Sequence, residues 1–255
     1  MIVVTGTKRS GTSMWMQILA AAGLPVIGDQ FPRRFIGLKE GNPEGFYESR
    51  LRRGIYHATN PDPQTGSYLH SDDTTRHVVK VFIPGLIRTD SAFLDRVIAT
   101  VRPWREYVTS MQRLRSLETQ VKDRPSAPAA RPPELEWWQE MYALIGNASI
   151  RRLPLHLVTY EQLLHDPEGE LTGALEWLGG GDLRAAIAAV RPALRTQHQP
   201  EITSDVFDAD AISVLDALYD AIHRERMLSA PLLQRMNALH TRLQHDQLST
   251  AKPGQ

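Results

Sequence analysis

A chain of 255 residues is long enough for one α/β domain with a large buried core, or for one domain with a helical appendage. Its Lys+Arg and Asp+Glu totals are both 29, so net charge points neither to nucleic acid nor to an anionic membrane as a partner. The absence of cysteine excludes disulfides, thiolate metal sites and thiol catalysis.

The first stretch, Met1–Gly23, holds the strongest local signal. Ile2, Val3, Val4 and Thr5 form a β-branched run that Gly6 ends, which reads as a buried strand. From Thr12 the spacing turns helical, with Met14, Trp15, Ile18, Leu19 and Ala22 on one side and Gly23 placed as the stop. Between them lies Gly6-Thr-Lys-Arg-Ser-Gly-Thr-Ser13, a turn carrying two glycines, two cations and several hydroxyls. Its amide groups and the positive helix end would converge on one point, which suits a phosphate or sulfate. Gly6 and Gly11 match the G-x-x-x-x-G spacing of a nucleotide loop, but Thr12 stands where that loop requires lysine.

Further along, residues 24–47 are broken by glycine and proline and read as irregular. A helix is predicted from near Glu48 through Leu51, Ile55 and Tyr56, and Asn60–Ser71 reads as a loop. Strands are predicted at 77–83, 96–102 and 155–160, ended by Pro84-Gly85, Pro103 and Glu161. A helix carrying Tyr107, Val108, Met111 and Leu114 follows the second of these, and residues 134–145 form another with Trp137, Trp138 and Tyr142. The proline-rich stretch 118–133 reads as a surface loop or lid. Helices are predicted near 161–165, 168–178, 181–190, 209–226 and 229–246.

Strands separated by helices imply right-handed crossovers and a three-layer α/β/α fold around a central parallel sheet, with P-loop NTPase-like topology and a helical C-terminal extension. The expected organisation is one domain over 1–255, with an α/β core to 200, C-terminal helices over 201–246 and a disordered tail over 247–255. With a strand starting at residue 2 and no apolar run of membrane length, a cytoplasmic protein without signal peptide or transmembrane segment is expected.

Ligands of such sheets bind at the C-terminal strand ends. That rim carries the first loop, Arg102 and Tyr160, and is rich in cations and hydroxyls but poor in carboxylates. A magnesium-dependent kinase would need a lysine at Thr12 and an acidic strand end, and neither is present. Arg102 closes a strand and Ser110 follows eight positions later, within reach of a common phosphate; the competing reading is a strand-end ion pair and a helix-surface hydroxyl.

These residues resemble the sulfotransferases that use 3′-phosphoadenosine 5′-phosphosulfate. Arg9-Ser-Gly-Thr-Ser13 resembles that family's 5′-phosphosulfate loop, and Arg102 with Ser110 resembles its 3′-phosphate pair. Asn42-Pro-Glu-Gly-Phe-Tyr-Glu48, Val79-Lys-Val-Phe-Ile-Pro84 and Tyr160-Glu-Gln-Leu-Leu-His-Asp-Pro167 resemble further segments, and Glu170–Gly179 continues the match, so that the likeness runs in order over roughly residues 2–195.

The resemblance implies transfer of a sulfuryl group from that donor to a hydroxyl or amine of a small-molecule or carbohydrate acceptor, without a metal. It implies that Lys8, Arg9, Ser10, Gly11, Thr12 and Ser13 surround the 5′-phosphosulfate, that Arg102 and Ser110 hold the 3′-phosphate, and that Tyr160 approaches the adenine. Arg9 stabilises charge and Lys80 contacts the bridging oxygen, while Arg195, with Arg191, either reaches the 3′-phosphate or forms a solvated helix end.

One departure matters. The cytosolic branch has a histidine two positions after the strand lysine, and here that position is Phe82, which takes no proton. Glu48 is the first choice as catalytic base, with Glu44, His57 and His70 as alternatives. The competing reading of Glu48 is a carboxylate at a helix start. Arg191 reads as a solvated helix end, and at least one of Trp137 and Trp138 as core. Arg33, Arg34, Arg50, Arg52 and Arg53 form a basic cluster that fits either a surface patch or an acceptor dock. A kinase with an atypical loop and a non-catalytic nucleotide-binding module are the alternative functions.

Overall fold

The computed structural model describes residues 1–32, 42–122, 131–192, 202–225 and 227–250, with backbone alone for 117–122 and 247–250. Five parallel strands form one sheet in the order β2-β3-β1-β4-β5. They are β1 (Ile2–Thr5), β2 (Val26–Ile27), β3 (Val78–Lys80), β4 (Arg96–Val101) and β5 (Leu155–Thr159). From β1 the chain passes to the edge strand β2, returns to β3 beside β1, then crosses to β4 and β5 on the other side. The adjacent tips of β1 and β4 therefore flank the point where strand order reverses, which is where open α/β sheets bind ligands.

Both faces of the sheet are covered. Ile2, Val4, Val78 and Ile98 pack into a core with α1 (Thr12–Ala21), α5 (Tyr160–His165), α6 (Pro167–Leu178) and α7 (Leu183–Ala189). Val3, Val79, Ala99 and Val101 face the other way, into a core shared with α2 (Ile83–Arg88), α3 (Trp104–Lys122), α4 (Pro133–Arg151), α8 (Ala209–Asp220) and α9 (Ala230–Thr250). The alternation follows from the two-residue period of a strand, and burial on both faces explains the continuous apolar runs. The expected three-layer α/β/α arrangement is the one observed.

Several local expectations are corrected. Residues 24–47 are not wholly irregular, because Val26–Ile27 pair in parallel with Val78–Val79 at the sheet edge. Two residues are too few to show a period. The strand predicted at 77–83 stops at Lys80, and α2 begins at Ile83. Pro84 opens that helix, since its missing N–H falls among donors that have no partner in a first turn. No helix starts at Glu48; Glu48 pairs with Asp29 in an antiparallel bridge, and a 3-10 turn covers Arg50–Arg53. The lid expected at 118–133 gives way to helix at both ends, α3 running through Lys122 and α4 starting at Pro133, while 123–130 lie outside the described residues. The helix expected at 209–226 ends at Asp220 and passes into a π-helical turn over Ala221–Glu225. Of the expected C-terminal tail, 247–250 continue α9 and 251–255 lie outside the described residues.

Candidate active site

The turn after β1 is drawn tightly against its neighbours. Gly6 has φ 150°, and a Cβ there would lie 2.5 Å from the Thr100 carbonyl oxygen of β4. Thr100 Oγ1 donates back to the Ser10 carbonyl at 3.0 Å, and Ser10 Oγ donates to Thr7 O at 2.7 Å, closing the turn on itself. Arg9 takes a left-handed φ of 68°, uncommon outside glycine and of the kind that clusters at functional sites. Gly11 precedes α1 with φ 105°; no side chain caps that helix and its first turn holds no acidic residue. The positive end of α1 and its first amides are thus left for an external anion.

Gly11 is also where Tyr160 comes closest, since a Cβ there would sit 2.6 Å from the tyrosine Cδ2. Gly11→Ala is expected to lower stability by about 2 kcal/mol from the backbone conformation alone, with the ring clash adding to it. Thermal melting of the variant, followed by titration with inorganic pyrophosphate, checks both the fold and the loop.

Two guanidinium groups meet beside this turn. Arg9 Nε donates to Ser110 Oγ at 3.1 Å, and Arg102 Nη1 donates to the Arg9 carbonyl at 3.1 Å. Arg102, at the tip of β4, is buried; its Nε lies 3.3 Å from Glu106 Oε2, and its guanidinium stands 4.3 Å from the centre of the Tyr160 ring. Trp137 Nε1 donates to the Arg102 carbonyl at 3.0 Å. The Arg9 guanidinium is held below the usual arginine range, first by burial and then by the charges of Arg102 and Arg113. Cations crowded to the point of mutual repulsion gain most from an anion placed among them.

A second cluster lies toward β3. Lys80 is buried and its Nζ donates to the Phe46 carbonyl and, at 3.2 Å, to Ser13 Oγ; the same atom is 3.2 Å from Glu48 Oε1. Arg52 bonds the other Glu48 oxygen, Oε2. Burial pushes the Lys80 ammonium down to about 8; Glu48 opposes the shift, and Arg52 and Arg9 add to it.

Two opposite pH effects follow from a folded pKa near 8 against 10.5 for free lysine. Between these values the unfolded chain binds the extra proton, so this group makes stability rise with pH across that window. A role for Lys80 in holding an anion would require the protonated ammonium, so any anion affinity that depends on it is expected to fall as pH passes about 8, and Lys80→Met is expected to remove that dependence. Paired pH-binding and pH-melting series check both signs.

The structure brings together most of the residues singled out by sequence. Arg9, Ser10, Gly11, Arg102, Ser110 and Tyr160 meet around the tips of β1 and β4, Ser13 lies beside Lys80, Lys8 is exposed and Thr12 is buried in the first turn of α1. Glu44, His57 and His70 are exposed, whereas Glu48 is buried against Lys80. Phe82 stands at the start of α2, its ring 5.7 Å from Lys80 Nζ. Arg191 donates to the carbonyls of Ala188 and Val190, closing α7 as a helix end. Trp137 and Trp138 are both core. Arg33, Arg34 and Arg195 lie outside the described residues. Of the remaining basic cluster, Arg50 pairs with Asp62 and Arg52 with Glu48.

Sequence reading missed the bracing of this rim. Trp104 Nε1 and both Arg105 Nη atoms bond the Asp216 carboxylate, at 2.6–3.1 Å, tying α8 to the start of the helix that carries Ser110. Thr159 Oγ1 lies 2.9 Å from His223 Nδ1, and Tyr219 donates to Glu161 at 3.2 Å, which fixes the tip of β5 under Tyr160. Only the pairing of Arg102 with Glu106 carried a sequence signal, since an arginine that closes a strand suggests a strand-end ion pair.

No protein-family model matches the sequence, and no curated protein matches it. Two solved structures are similar to the chain. The sulfotransferase domain of the olefin synthase of Synechococcus PCC 7002 is 17% identical over 94% of either chain, with a TM-score of 0.42. The sulfotransferase STF1 of Mycobacterium tuberculosis H37Rv is 18% identical over 73% of this chain and 70% of its own, with a TM-score of 0.46.

Proposed function

We propose that this chain is a sulfotransferase that takes its sulfuryl group from 3′-phosphoadenosine 5′-phosphosulfate and delivers it to a hydroxyl or amine. The observation that carries the reading is the convergence of Arg9, Arg102 and Ser110 beside an uncapped helix end. Arg9 Nε reaches Ser110 Oγ at 3.1 Å while Arg102 holds the Arg9 carbonyl at 3.1 Å. One guanidinium from the β1 turn and one from the β4 tip thus share a site with a buried hydroxyl, as a nucleotide bearing both 5′ and 3′ anions requires.

In this reading the turn from Lys8 to Ser13 and the first amides of α1 bind the 5′-phosphosulfate. Arg102 and Ser110 bind the 3′-phosphate, Tyr160 lies under the adenosine, and Arg9 balances charge that builds on the leaving phosphate. The acceptor oxygen or nitrogen forms its bond to sulfur as the bond from sulfur to the phosphate oxygen breaks, and the acceptor proton passes to Glu48. Lys80, bonded to Ser13 and Glu48, joins the loop to the base and neutralises the leaving oxygen. The adenosine product leaves as the 3′,5′-bisphosphate.

Calorimetric titration of the full chain with adenosine 3′,5′-bisphosphate and with AMP tests this. The bisphosphate is expected to bind at least about tenfold tighter, the worth of a charged hydrogen-bonded phosphate. Equal affinities would overturn the reading, because the 3′-phosphate is what distinguishes the two ligands.

A further inference from the structure

Glu48 faces two ways. On one side it meets Lys80, and on the other it lines an open cavity of about 400 Å³. The walls come from the end of β2 and the residues after it, from the chain around the Arg50–Arg53 turn, and from the loop over residues 59–69. A bonded path leads from Ser13 of the anion loop through Lys80 Nζ to Glu48 Oε1, each step 3.2 Å, and ends at this wall. The cavity falls within the size range of small-ligand sites.

Among the described residues, the carboxylates Asp29, Glu48 and Asp62 and the cation Arg50 line it. Asp62 is matched by Arg50, and Glu48 by Lys80 and Arg52. Asp29 is exposed and, among the described residues, its carboxylate has neither an ion pair nor a hydrogen bond. Asp29 is thus the lining carboxylate open to pairing with a cationic group on a ligand. Tyr68 adds an aromatic ring that is 58% exposed and held in a tilted pair with His70, with centroids 4.8 Å apart. Such a face suits a cation or the C–H side of a saturated ring. Ser49 Oγ accepts the Leu51 amide and keeps its own proton to donate.

We infer that this cavity receives the acceptor, and that the acceptor is a small polyhydroxylated ring compound carrying an ammonium group, of the amino-sugar type. The inference rests on the sulfotransferase reading for the role of Glu48, whereas the ligand class rests on the cavity alone. The ammonium group pairs with Asp29, the ring lies against Tyr68, and one hydroxyl is directed at Glu48.

Glucosamine, glucose and 4-nitrophenol serve as probes, titrated by saturation-transfer NMR into the full chain loaded with adenosine 3′,5′-bisphosphate. Glucosamine is expected to bind at least threefold tighter than glucose, and tighter than 4-nitrophenol. Asp29→Asn should erase the difference between the two sugars, and Tyr68→Ala should weaken both at least fivefold, with bisphosphate affinity unchanged in both variants. The inference falls if glucosamine does not bind, if 4-nitrophenol binds tighter, or if Asp29→Asn leaves the sugar preference intact. Failure of the wild-type chain to bind the bisphosphate would overturn the parent reading instead. The same sugar ratios on the nucleotide-free chain would then decide the cavity.

Discussion

Arg102→Ala is expected to weaken adenosine 3′,5′-bisphosphate binding by about 10- to 100-fold, the worth of hydrogen bonds to a charged group, while AMP binding changes far less. The effect has a structural companion. Glu106 is fully buried, and its Oε2 lies 3.3 Å from Arg102 Nε. Removing one partner of a buried ion pair costs about 3–5 kcal/mol of stability, so Arg102→Ala should also melt at lower temperature. Ser110→Ala separates the two effects. It takes away the hydroxyl that Arg9 contacts but leaves both guanidinium groups and the Glu106 pair in place. A loss of about threefold to tenfold in bisphosphate affinity is expected, with a melting temperature close to wild type. If neither variant changes the ratio of bisphosphate to AMP affinity, Arg102 and Ser110 do not read the 3′-phosphate.

Glu48→Gln is expected to slow sulfuryl transfer by about 10²- to 10⁴-fold, the contribution of a positioned base. The measurement is release of adenosine 3′,5′-bisphosphate from the donor, with the best acceptor found among the sugar and phenol probes. Nucleotide binding should move in the opposite direction or stay level. Glutamine removes a negative charge 3.2 Å from Lys80 Nζ and so leaves the anion site more positive. A purely structural role for Glu48 would weaken both binding and turnover, because Lys80 and Arg52 would lose their shared partner. Wild-type transfer by the variant would exclude Glu48 as the base and return the question to the exposed Glu44, His57 and His70.

The local strand–turn–helix at the N-terminus was legible in the sequence, because each part of it is a short-range matter. β-Branched residues make the strand, Gly6 and Gly11 permit the positive φ angles, and apolar spacing makes α1. The parallel sheet followed from strands alternating with helices. The errors fell where local pattern is short. The two residues of β2 carry no period, Pro84 opens a helix as readily as it ends a strand, and the predicted helix at Glu48 is in fact a bridge to Asp29.

Sequence alone determined the hydroxyls and cations on the turns at the rim of the sheet, but not the buried carboxylates Glu48 and Glu106 that pair with its cations. Only the tertiary structure decided which of them touch. The bond from Arg9 to Ser110 spans 101 residues, that from Lys80 to Phe46 spans 34, and the brace from Trp104 to Asp216 spans 112. Contacts at such separations are set by how the layers pack around the sheet, and no local periodicity encodes them. The placement of Glu48 beside Lys80 is of the same kind, since β2 and β3 bring Asp29, Glu48 and Lys80 to one edge of the sheet.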